Sequence, residues 1–322
     1  MKRMVFFTAS LAAWLFVGVV PASADNGPHM KGASVVADTC AGCHRVHTAQ
    51  AAGLLKEPQG TLCYTCHGPS ASGANTDVDS GVGYSGADRT GTAGALRGGG
   101  FSYALIDTGS PSGLKSAGVI PALGVAEKEA VTSTHSINES DQMAWGNGAI
   151  SATANYGKVI PLRCGNCHDP HGSGNYRILR DIAKDAVPTS HGEPVGGTPA
   201  PIADAETKVY TTNNYWRADD INAPGFAANI SVWCSNCHTR YLSSSPKTPS
   251  GDAVFAYRHT SDKTSSGAGQ RNCIQCHVSH GSNASMGPRS AAVTNPAGFS
   301  AGTSSRLLRA DSRGVCQICH AK

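Results

Sequence analysis

The chain repeats one short pattern six times: two cysteines three positions apart, with histidine directly after the second. The copies are Cys40-Cys43-His44, Cys63-Cys66-His67, Cys164-Cys167-His168, Cys234-Cys237-His238, Cys273-Cys276-His277 and Cys316-Cys319-His320. All twelve cysteines of the chain lie in these motifs. The copies fall into three pairs, spanning 40–67, 164–238 and 273–320. The first member of each pair adds a histidine three residues further on, at His47, His171 and His280.

This spacing has a specific chemical use. Thiols at i and i+3 share one face of a helical turn and can bond to the two vinyl groups of one haem. The histidine at i+4 then lies beneath the iron as an axial ligand. Other uses of paired cysteines fit less well. Zinc coordination has no need of histidine at the very next position. A thioredoxin-like redox pair would occur once, near a βαβ pattern. Structural disulfides suit an exported chain but do not impose a fixed C-x-x-C-H spacing. The motifs therefore predict covalent c-type haem, six groups in all, held by the twelve cysteines.

Residues 1–24 carry the marks of an export signal. Lys2 and Arg3 open it, an apolar run follows to about Val20, and Ala22-Ser23-Ala24 forms a small-residue cleavage site. No later stretch is apolar and long enough to span a bilayer. The remaining residues, 25–322, are expected to form one hexahaem domain that is exported to the periplasm or beyond. Its composition is poor for a conventional core: 38 glycines, 6% aromatic and 15% charged residues. With about one haem for every 50 residues, porphyrins can supply the apolar interior instead. The expected fold is mostly irregular, with short helices and few strands. The formal charge of +4 falls to about +2 without Lys2 and Arg3, and haem propionates lower it further. No dense basic run with interleaved aromatics is present, so nucleic acid is a poor partner.

Along the chain, Ser34 to about Leu55 has helical periodicity and carries the first motif. Only 23 positions separate Cys40 from Cys63, so their haems must be close. Residues 68–134 hold no cysteine or histidine and read as turns, with a short strand over 101–106. They serve either as a wrap for haem faces and neighbouring subunits or as a surface insertion. Arg97-Gly98-Gly99-Gly100 lacks the Lys-Ser/Thr of a phosphate loop. Residues 177–184 are expected to be helical, and 209–216 and 230–233 extended.

Of thirteen histidines, six are proximal ligands by position: His44, His67, His168, His238, His277 and His320. Seven remain: His29, His47, His135, His171, His191, His259 and His280. This is enough for histidine on both faces of every iron, with His191, in a Gly/Pro-rich stretch, as the spare. Met30, Met143 and Met286 are weaker alternatives. His47, His171 and His280 follow a proximal histidine too closely to reach the far face of the same porphyrin. Each is therefore expected to reach the iron of a neighbouring haem.

Alternating C-x-x-C-H-x-x-H and C-x-x-C-H units resemble the doubled-motif multihaem c-type cytochromes. The order of the six motifs is similar to that of the hexahaem outer-surface filament cytochromes of metal-reducing bacteria, the OmcS type. So are Cys164-Gly-Asn-Cys-His-Asp-Pro-His-Gly172, Trp233-Cys-Ser-Asn-Cys-His238, Cys273-Ile-Gln-Cys-His-Val-Ser-His280 and Cys316-Gln-Ile-Cys-His-Ala-Lys322. The resemblance implies a chain wrapped around a continuous haem stack. It also implies a homopolymer in which His47 of one subunit ligates the haem of His277 in the next. The implied function is electron transfer by an extracellular wire at the outer cell surface, serving redox proteins or external acceptors. A monomeric periplasmic carrier would use the same motifs. A multihaem reductase needs an open iron position, and no C-x-x-C-K motif marks one, so the expectation is a carrier and not an enzyme.

Overall fold

The structure is a computed structural model that describes residues 29, 39–70, 74–84, 92–104, 129–144, 146, 159–173, 175–183, 226–251, 256–261, 272–284 and 306–308. The 1–24 segment, the Cys316-Cys319-His320 motif, His191, Met30, Met286 and residues 209–216 lie outside these. Within the described residues the chain is mostly irregular, as its composition requires. Its helices are α1 (Thr39–Cys43), α2 (Gln59–His67), α3 (Cys164–Cys167), α4 (Phe226–Cys234) and α5 (Cys273–Cys276). Each contains or ends on cysteines of one C-x-x-C-H motif.

The helices are short because the motifs themselves close them. In α5, Asn272 accepts from the Gln275 backbone N–H at 3.0 Å, and the Gln275 side chain accepts from the Asn272 N–H at 3.0 Å. This reciprocal cap is built from the residue just before the second cysteine. Asn166 does half of the same in α3, accepting from the Arg163 N–H at 2.7 Å. After each histidine the backbone turns extended, with ψ 147° at His168 and 155° at His277.

Strands are two to four residues long and antiparallel. β1 (Thr76–Asp77), β2 (Val82–Tyr84) and β3 (Thr92–Ala95) form one small sheet. β4 (Tyr103–Ala104) pairs with β5 (Glu129–Ala130), and β6 (Ser133–Thr134) with β9 (Gly281–Ser282). β7 (Asp141–Met143) pairs with β8 (Val159–Pro161). Buried apolar residues form small clusters: Leu179 and Ile230 with Trp233 and Ile274, and Ala104 and Val278 with Val131 and Leu307. Among the described residues no helix is long and apolar enough to cross a membrane.

Several local expectations are corrected. Of the helix expected over 34–55, the described residues 39–55 hold α1, a 3-10 turn at Ala52–Leu54 and irregular backbone between. Of the helix expected over 177–184, the described residues 177–183 form none: Tyr176–Ile178 form a 3-10 turn, and Leu179 is extended, bridged to His168. Ile230–Trp233, expected to be extended, lies inside α4, where it packs against Leu179. The strand at 101–106 is present at β4. The described part of 68–134 is threaded onto the third doubled motif: β4 and β6 flank residues 279–284, and His135 N–H donates to His280 O at 2.8 Å.

Candidate haem-binding sites

Every described C-x-x-C-H motif folds into one α-turn. The histidine N–H donates to the first cysteine's carbonyl at 2.9 Å for His44, His168 and His277, and at 3.1 Å for His238. The Cys63–His67 copy lies within α2. The turn brings both thiols to one side, with the imidazole a turn along. The ten described cysteines are all free thiols. Among the described residues no group of three or more His, Cys, Asp or Glu side chains is placed to hold a bare metal ion.

The proximal histidines of the three doubled motifs are held by one repeated device. His44 bridges Leu55, His168 bridges Leu179, and His277 bridges Leu308. Two residues before each leucine, a carbonyl accepts the imidazole Nδ1–H: Gly53 at 2.9 Å, Arg177 at 2.8 Å and Arg306 at 3.0 Å. The residue after the histidine donates its N–H to the residue before the leucine. These bonds are Arg45 to Leu54, Asp169 to Ile178 and Val278 to Leu307, at 2.8, 2.7 and 2.8 Å. The two residues before each leucine are left-handed: Gly53 and Leu54 (φ 75° and 61°), Arg177 and Ile178 (52° and 51°), Arg306 and Leu307 (56° and 61°). The corresponding stretches read Gly-Leu-Leu-Lys, Arg-Ile-Leu-Arg and Arg-Leu-Leu-Arg. That repeat was available in the sequence but was masked by the helix preference of its residues. His67 lacks such a strap, and its Nδ1 faces Thr76 Oγ1 at 3.1 Å.

The histidines face one another in pairs. Ring centres lie 6.0 Å apart for His29 and His67, 6.1 Å for His44 and His171, 6.1 Å for His135 and His238, and 6.4 Å for His168 and His280. Most of these rings anchor Nδ1 on the chain, which leaves Nε2 as the available donor. Three of the second rings do so through backbone carbonyls: His29 donates to Pro170 O at 3.0 Å, His135 to Ser279 O at 2.7 Å and His280 to Gly99 O at 3.3 Å.

A metal–imidazole bond is about 2 Å long, so one iron between two imidazoles sets the ring centres roughly 6 Å apart. The side chains therefore fit haem: paired thiols, paired imidazoles and ring-centre spacings of the right width. Arg97 adds a further sign. Its Nη2 is buried without a hydrogen-bond partner in the chain, a donor that a propionate would satisfy.

His280 is clasped on several sides. The Gly98 carbonyl accepts from the His280 N–H at 2.8 Å, and Phe101 stacks on the ring at 4.6 Å. A Cβ on Gly98 would come within 3.0 Å of His280 Nδ1, and one on Gly99 within 1.8 Å of Gly281 O. The Gly98-Gly99-Gly100 run is thus a close-packed backbone crossing. Burial, then the neighbouring His168, lowers the His280 pKa from 6.5 to about 4. Burial likewise lowers those of His135 and His168.

Thiols of different motifs also meet. The Cys63 thiol donates to Cys164, which pushes Cys63 up and Cys164 down, and Cys234 stands in the same relation to Cys273. Burial, then Cys237, pushes Cys167 to about 12. Gln59 joins the second motif to the third by accepting from the Gly165 N–H at 3.0 Å.

A family profile described as the doubled CXXCH motif matches residues 33–72. Among curated proteins, the tetraheme c-type cytochrome CymA of Shewanella oneidensis is 28% identical over 146 residues, covering 45% of this chain and 68% of that protein. By these matches the chain is similar to multihaem c-type cytochromes. Among solved structures, the chain is similar to the Outer Membrane Cytochrome S filament of Geobacter sulfurreducens, at 17% identity and a TM-score of 0.36. That match covers 77% of this chain and 82% of the other. A second match is to the OmcS nanowires of the same organism, at 16% identity and a TM-score of 0.31, covering 78% and 82%. In the chain, His47 and His259 are exposed, and no described ring faces His47.

Proposed function

We propose that this chain transfers electrons through six covalently attached c-type haems. In this reading each C-x-x-C-H motif holds one haem by its two cysteines and supplies the proximal ligand. The four facing pairs carry the reading: His67 with His29, His44 with His171, His238 with His135 and His168 with His280, each pair taking one iron. A bound haem supplies a one-electron ferric–ferrous couple. The chain's own part is to fix the imidazoles, keep Nε2 unprotonated and exclude water. An iron with histidine on both faces offers no place for substrate, so the role is carrier rather than reductase.

The doubled motifs form a ladder. His280 of the third faces His168 of the second, and His171 of the second faces His44 of the first. One further step of the same kind carries His47 beyond the chain, to the iron of His277 in the next copy. Its surroundings suit a subunit contact: Val46 is 75% exposed and Leu54 52%. Repeated head-to-tail, that contact does not close on itself and builds a filament. The proposed location is extracellular or at the outer cell surface, with redox proteins or external acceptors as partners. His259 and His320 are the remaining ligand candidates.

Negative-stain microscopy of haem-loaded protein tests this directly. Filaments should form with the native chain and vanish with His47→Ala, while pyridine haemochrome analysis still gives six haems. Monomers from the native chain would favour a periplasmic carrier. Stoichiometric zinc in place of haem would end the cytochrome reading.

A further inference from the structure

The left-handed straps at 53–55, 177–179 and 306–308 have a cost that the loop path alone does not explain. A left-handed residue other than glycine is unfavourable, because its Cβ crowds the following carbonyl oxygen. Ile178, being β-branched, is a marked outlier at φ 51°. Such residues persist where surrounding contacts over-determine them, and they gather at functional sites. Here three segments far apart in sequence adopt the same two-residue left-handed turn, and each aims one carbonyl at a proximal histidine's Nδ1. A proximal histidine whose motif has no strap, His67, meets the Thr76 hydroxyl instead.

We propose that the three straps are positioning elements that set the donor strength of His44, His168 and His277. An Nδ1–H held by a carbonyl makes the imidazole a stronger donor at Nε2, and hydrogen bonding behind an axial ligand is a lever on haem potential. The straps hold the irons of these motifs at lower reduction potential than the same ligand would without its carbonyl. The inference rests on the proximal ligation described above.

Gly53 is the place to test it. A Cβ there meets nothing within 4 Å, so a substitution acts only through its φ of +75°. The series Gly53→Asn, Gly53→Ala, Gly53→Val and Gly53→Pro raises the cost of that conformation step by step. The measurements are haem content of the full chain by pyridine haemochrome, and potentiometric titration followed by EPR. Haem content should stay native. The potential of one haem should move upward in the order of the series, with Asn closest to native, and its low-spin EPR signal should shift with it. Should Gly53→Pro fail to accumulate, the trend from Asn to Val still decides. A flat series at native haem content overturns the proposal. The control is His44→Ala: if it leaves every haem signal unchanged, the proximal ligation fails and the proposal with it.

Discussion

The imidazole planes of His44 and His171 lie 10° from parallel, with ring centres 6.1 Å apart. The His29–His67 and His168–His280 planes cross at 66° and 62°. Parallel ligand planes split the two iron orbitals that accept imidazole π density, whereas crossed planes leave them nearly degenerate. EPR of the oxidised protein should therefore show an ordinary rhombic low-spin signal for the His44 haem. Signals with a large maximal g should come from the His67 and His168 haems. A spectrum containing only rhombic signals would contradict the plane angles.

His171 and His47 occupy equivalent positions in their motifs but stand in different surroundings. His171→Ala removes the ring facing His44, so one haem should become high-spin while its thioether attachment persists. His47→Ala in monomeric protein should leave the haems whose ligand pairs lie within one chain low-spin. Electronic absorption and EPR on the two variants, at equal haem content, measure the contrast.

The glycine crossing at residues 98–100 should control His280. Gly98→Ala places a methyl 2.7 Å from Ser279 Oγ and 3.0 Å from His280 Nδ1, closer than ring and side chain can accept without moving. The expected result is a high-spin population at one haem, reversed by added imidazole. Phe101→Leu removes the stacked ring with little loss of volume and should give a smaller change of the same kind. Low-spin spectra identical to native in both variants would rule out this role for the crossing.

Acid should act late at His280. Burial holds its folded pKa near 4 against an ordinary 6.5. The unfolded chain takes up a proton as pH falls below 6.5, while the folded one stays neutral. The contribution to stability is therefore complete above pH 6.5 and is lost as pH falls towards 4. Thermal denaturation followed from pH 7 down to pH 4 should show that decline.

The sequence carried more of the site than of the fold. C-x-x-C-H spacing is a local property, so each motif could be located without tertiary information. Reach alone gave the expectation that the second histidines at 171 and 280 serve other haems, and the structure sets their rings near His44 and His168. Which haem each one serves depends on how turns separated by more than a hundred residues pack, and no local pattern encodes that. Residues 177–184 and 230–233 were misread for opposite reasons. Arg177 and Ile178 are ordinary helix residues bent left-handed around His168, while the β-branched Ile230 and Val232 are helical because α4 presents Cys234. In both, tertiary contacts overrode propensity.

The hand-back from each doubled motif to the one before it gives the chain a directional grammar. An in-register duplication of one such unit would lengthen the row and leave every imidazole with a counterpart. Excising the middle unit would set His280 against His44. Variants of different length should therefore differ by whole units, and the exposed first unit is where any such extension would join.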